Sequence, residues 1–62
     1  MTKDRIITMI ADEFASSALF RNKVASGEAF TIRGHVVEII TDKEVLTDLD
    51  ILSENFDVII KE

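Results

Sequence analysis

The stretch Gly27-Glu28-Ala29-Phe30-Thr31-Ile32-Arg33-Gly34-His35-Val36-Val37-Glu38-Ile39-Ile40 decides the fold, because the hydrophobic period changes within it. Ala29 to Arg33 alternates, and Val36 to Ile40 is dense in β-branched residues, so both segments predict strands. Gly34 between them accommodates either a tight hairpin near Arg33-Gly34-His35 or a bulge in one long strand, and the pattern is compatible with both. Gly27 suits the residue just past a helix end, where a left-handed backbone is least costly without a Cβ.

Upstream of Gly27 the period is helical. Thr2 or Asp4 can cap a helix whose apolar positions Ile7, Ile10, Phe14 and Ala18 recur at helical spacing, with Ile6 and Met9 widening the stripe. Ser16-Ser17 interrupts the good helix formers, so residues 4–15 and 18–26 read as two helices or one bent helix; Leu19, Phe20 and Val24 give the second piece its own apolar face. The stripe of the first helix would also fit a partner's groove, but covering the protein's own sheet is the simpler use of it.

Downstream, Thr41-Asp42-Lys43-Glu44 has the form of a capping box and predicts a helix start. Val45, Leu49 and Leu52 continue at helical spacing with Leu46 beside them, and Ser53-Glu54-Asn55 closes the helix before a strand over Phe56-Asp57-Val58-Ile59-Ile60. Val45, Thr47, Leu49 and Ile51 also alternate, so a β-meander competes; the helix is the favoured reading. The expected architecture is α+β in a single domain over residues 1–62: an N-terminal helix or helix pair, then a small two- to three-stranded sheet with one further helix before the last strand.

Ile, Leu, Val and Phe supply 22 of the 62 residues, enough apolar material for a folded domain. A chain this short buries only about 60% of its unfolded surface. With no cysteine, neither a disulfide nor a Cys/His zinc site is open to it, which leaves association as the usual reinforcement. The strands sharpen this expectation. Val36, Ile40, Val58 and Ile60 are assigned to one side of the sheet and Val37, Ile39 and Ile59 to the other, and a sheet apolar on both faces is normally covered on both. A homodimer through a sheet face or edge is therefore expected.

The catalytic inventory is small. His35, the only histidine, has no cysteine nucleophile and no serine in a G-x-S-x-G elbow to work with, and reads as a turn or exposed residue beside Gly34. Neither glycine belongs to a phosphate-cradling motif. Asp48-x-Asp50 begins in the manner of a calcium loop, but Ser53 stands where that loop needs glycine. Asp12 and Glu13, Asp42 and Glu44, Asp48 and Asp50, and Glu54 and Asp57 are paired carboxylates in a chain too small to enclose a cleft by itself. We expect no enzyme, no metal and no cofactor. The first apolar run is short and soon followed by Asp12 and Glu13, and no segment approaches the roughly 18 apolar residues of a membrane span, so a soluble cytoplasmic protein without membrane contact is expected.

Charge is unevenly divided. The chain carries a net charge of −5, and residues 34–62 hold eight acids against two lysines, whereas residues 1–33 hold five basic residues against four acids. An acidic half steers a basic partner by long-range attraction, although it also serves solubility alone. The expected function is thus a small, non-enzymatic, homodimeric interaction or regulatory module. Asp42, Glu44, Asp48, Asp50, Glu54 and Asp57 are its candidate surface for a basic protein partner. The alternative is nucleic-acid binding through Lys3, Arg5, Arg21, Lys23 and Arg33, which the overall charge opposes.

Overall fold

The computed structural model describes every residue except Met1, Lys43 and Val45. Its first helix, α1 (Lys3–Ser16), is capped by Thr2, whose hydroxyl accepts from the Arg5 N–H at 3.3 Å, with Asp4 placed favourably in the first turn. The buried face is Ile6, Ile10, Ala11 and Phe14, while Ile7 and Met9 are half-buried and Ala18 is exposed. The stripe therefore runs through Ile6 rather than Ile7, one position off the sequence reading.

Ser17 makes two helices out of one helical stretch. Its backbone is extended (φ −136°), its N–H closes α1 on the Glu13 carbonyl at 2.9 Å, and its hydroxyl accepts from the Phe20 N–H at 3.2 Å to cap α2 (Ala18–Ala25). Gly27 follows the end of α2 with φ +76°, its N–H on the Val24 carbonyl at 3.2 Å, a left-handed helix stop.

The strands β1 (Phe30–Ile32) and β2 (His35–Ile40) form a hairpin rather than one bulged strand. Arg33 and Gly34 are its two loop residues, with φ of +50° and +82°, the turn whose twist suits a two-residue connection. The last strand, β3 (Asp57–Ile60), runs antiparallel to β2, giving a three-stranded sheet in the order β1-β2-β3.

Register corrects the facial assignment. Val37 faces Ile60 and Ile39 faces Val58, while Glu38 faces Ile59. Partners directly opposite each other share a face. Phe30, Ile32, Val37, Ile39, Val58 and Ile60 thus lie together, and the other face holds Val36, Ile40 and Ile59 among Thr31, Glu38 and Asp57. The parity within each strand was readable from sequence, but the pairing between strands was not. As a result the apolar residues concentrate on one face, and the open face is mixed.

The region before β3 also differs from expectation. The helix α3 is only Asp48–Leu52; Thr41, Asp42, Glu44 and Leu46 lie outside it, and Lys43 and Val45 of the expected helix fall outside the described residues. The capping box that forms is Thr47-x-x-Asp50. The Asp50 N–H donates to the Thr47 hydroxyl at 3.2 Å, and the Thr47 N–H donates back to the Asp50 carboxylate at 3.0 Å. The physical reason lies in topology. Ile40 pairs with Asp57, so the chain leaves and re-enters the sheet at the same end, while α3 packs against α1 in the helical layer. The helix accordingly starts at Thr47, not at Thr41. Glu54 then ends it with φ +61°, its N–H on the Ile51 carbonyl at 3.1 Å and the Asn55 N–H on the Asp50 carbonyl at 2.8 Å.

All three helices cover one face of the sheet. Ile6 and Ile10 of α1, Val37 and Val58 of the sheet and Ile51 of α3 are essentially inaccessible to solvent, and Phe20 meets Phe30 edge to face at a centroid distance of 5.3 Å. Burying each such side chain fully stabilises by about 1.5–3 kcal/mol.

Candidate interaction surface

Half of the six candidate acids serve the fold. The Asp50 carboxylate accepts from the Thr47 N–H and hydroxyl and from the Asn55 side-chain amide, at 3.0, 2.8 and 3.3 Å. Glu54 accepts from the Thr8 hydroxyl at 2.8 Å, tying the end of α3 to α1. Asp57 accepts from the Val58 N–H at 2.8 Å and lies 4.0 Å from the Lys3 ammonium, an exposed pair that contributes little. Asp42, Glu44 and Asp48 are exposed and make no hydrogen bond or ion pair with other described residues. The acidic surface available to a partner therefore contracts to these three, on the segment leading into α3 and its first turn.

Glu44 and Asp48 help to line a groove, an open cleft of about 580 Å³. Its floor is apolar: Phe14 from α1, Val24 from α2, Ile39 from β2, Leu46, and Ile51 from α3. Val24, Ile39 and Leu46 are only half-buried, so the core remains accessible here. The groove is lined by residues of all three helices and of β2. No local sequence signal marks it, since its floor residues lie up to 37 positions apart, from Phe14 to Ile51.

Arg21 and Asn22 of α2 also line the groove. Arg21 is anchored: its Nε donates to the Phe14 carbonyl at 2.8 Å, its Nη2 to the Ala15 carbonyl at 3.2 Å, and its guanidinium lies 5.9 Å from the centroid of the Phe14 ring. The side chain caps carbonyls that the end of α1 leaves unpaired and favours the negative end of the helix dipole. The basic residues do not form one face. Lys23 and Arg33 line a shallow cleft together with Glu13, whereas Lys3 and Arg5 sit in the first turn of α1, outside that cleft.

His35 begins β2, opposite Ile32 at the closed end of the hairpin, and is half-buried. No group of three His, Asp or Glu side chains among the described residues is arranged to hold a metal ion. No helix among the described residues is long and apolar enough to cross a membrane. Set against family models, curated proteins and solved structures, the chain matches none of them.

Proposed function

We propose that this protein is a small, non-enzymatic interaction module that binds a basic protein partner through the acidic rim of the groove. One observation carries the reading: an open apolar groove beside two carboxylates, Glu44 and Asp48, that make no hydrogen bond or ion pair with other described residues. Exposed apolar surface next to unneutralised charge offers an anchor pocket and a steering field together. The anchoring of Arg21 to backbone carbonyls lowers its value as a phosphate contact and supports the protein partner over nucleic acid. A cytoplasmic setting belongs to the same reading and is compatible with a chain that carries no cysteine.

The test is a titration with fluorescently labelled peptides carrying two or three Lys or Arg around one apolar residue, read by anisotropy at low and high salt. Binding that weakens with salt, and that falls at least tenfold in D42N/E44Q/D48N, supports the proposal. Equal binding by the neutralised variant, or a mobility shift of duplex DNA in place of peptide binding, refutes it.

Homodimerisation forms the second part of the reading. The open sheet face presents Val36, Ile40 and Ile59, the last 44% exposed, around a Glu38–Lys61 ion pair of 2.8 Å. A stable interface buries at least about 600 Å² per partner. That is a sizeable part of a total surface of 4228 Å², so the face would need its flanking residues as well. Sedimentation equilibrium of wild type and Ile59→Lys tests it: a dimer that Ile59→Lys dissociates supports this face, and a wild-type monomer at high concentration removes the dimer from the proposal.

A further inference from the structure

We propose that the groove receives its basic partner as an added β-strand, laid antiparallel against the free side of Ile39. The inference rests on the proposed basic partner and specifies how it is held. It starts from the hydrogen-bond alternation of the sheet. The Lys61 N–H donates to the Val36 carbonyl at 2.7 Å, so Val36 and, by alternation, Glu38 and Ile40 turn their backbone groups toward β3. His35, Val37 and Ile39 turn theirs the other way, toward β1. But β1 begins at Phe30, opposite Val37, and the residue that would face Ile39 is Glu28, which is not in the strand. No backbone or side-chain hydrogen bond among the described residues reaches the N–H or C=O of Ile39 on that side. Ile39 is also one of the residues that line the groove.

The β3 edge of the sheet is treated differently. Along β3, the outward N–H of Val58 is taken by its neighbour's Asp57 carboxylate at 2.8 Å. Just beyond β3, the Lys61 and Glu62 N–H groups both converge on the Val36 carbonyl, at 2.7 and 3.3 Å, while the Val36 N–H returns to the Glu62 carbonyl at 2.9 Å. This is a β-bulge. Bulges and locally satisfied donors are ways in which edges are blunted against pairing. The Val58 donor on the β3 edge is thus satisfied within the chain, whereas Ile39 of β2, beyond the end of β1, keeps its outward backbone groups and lines an apolar groove with an acidic rim.

A peptide in line with β1 would exchange two backbone hydrogen bonds with Ile39. Its side chain at that position lies on the same face as Ile39 and so enters the space between Val24, Leu46 and Ile51. Two residues earlier in the peptide, the next side chain on that face comes opposite Thr41, which lines the groove together with Glu44 and Asp48. The expected ligand is an extended segment with Lys or Arg two positions before an apolar residue.

The experiment uses an eight-residue peptide with Arg two positions before Leu, and the same peptide N-methylated at the Leu backbone nitrogen, each titrated into the full-length protein. N-methylation removes the donor to Ile39 and leaves the side chains and charges alone, so no protein variant has to fold. We expect at least a tenfold loss of affinity with the methylated peptide. In the unmodified complex we also expect slowed exchange of the Ile39 amide hydrogen. Salt-sensitive binding that is indifferent to methylation, with no protection at Ile39, overturns the strand mode while leaving the basic-partner reading intact. Failure of every basic peptide to bind overturns both.

Discussion

Thr47→Ala removes the hydroxyl that starts α3, and its effect follows from the hydrogen bonds that remain. The Asp50 N–H loses its acceptor at 3.2 Å and the Asp50 carboxylate loses the hydroxyl donor at 2.8 Å, while the Thr47 N–H still reaches that carboxylate. Loss of such a cap costs about 1 kcal/mol, within a range of roughly 0.5–2. A domain of this length has a total stability of about 3–9 kcal/mol, so the loss is a sizeable fraction. With a urea m-value near 1 kcal/mol/M, the unfolding midpoint should fall by about 1 M. Far-ultraviolet circular dichroism during urea titration reads it directly, with Thr47→Ser as the control that keeps the cap. The matching variant is Glu44→Ala at the cap that does not form; it should move the midpoint by less than about 0.5 M, as exposed substitutions do. A large loss in Glu44→Ala with none in Thr47→Ala would refute the reasoning and restore a helix beginning at Thr41.

Three further predictions follow from the packing. Arg21→Ala should cost about 1–2 kcal/mol through the uncapped Phe14 and Ala15 carbonyls, and Arg21→Lys should recover only part of it because an ammonium cannot span both; an unchanged urea midpoint in Arg21→Ala would remove the capping role. Arg33→Asn should stabilise by about 0.5 kcal/mol, since Asn tolerates the φ of +50° better, whereas Gly34→Ala at φ +82° should lose about 1 kcal/mol by strain alone, no atom lying within 4 Å of the added Cβ; thermal melts of the pair check both signs. Val37→Ala, at 0% exposure, should cost roughly 2 kcal/mol, while Leu19→Ala, at 77%, should stay within about 0.5 kcal/mol, and equal losses at the two sites would contradict the assigned core.

The candidate surface was legible only in part. The acidic half was visible as composition, and Asp42, Glu44 and Asp48 remain available in the structure. Asp50, Glu54 and Asp57 belonged to the same run but are drawn into a cap, a tie to Thr8 and the edge of β3. Charge patterning counts carboxylates, whereas three-dimensional packing decides which of them find donors. Arg21 is the converse case: a basic residue on a helix resembles a nucleic-acid contact until the end of α1 is seen beneath it.

What the sequence determined by itself was local. The change of period at Gly27, the interruption at Ser16-Ser17, the strands flanking Gly34 and the final β-branched run follow from steric and hydrogen-bonding preferences that act over three or four residues, and the structure has an element boundary or a strand at each. Tertiary structure decided the rest. The sequence reading placed the helix start at Thr41, whereas in the structure α3 starts at the Thr47 cap and packs against α1. Strand register decided that Val58 and Ile60 join Val37 and Ile39, which gave the sheet one covered face and one open one. The groove beside Ile39 is the furthest from sequence, because it is a space between α2, β2 and α3. Its existence depends on where three elements stop, and no residue pattern within any one of them encodes that space.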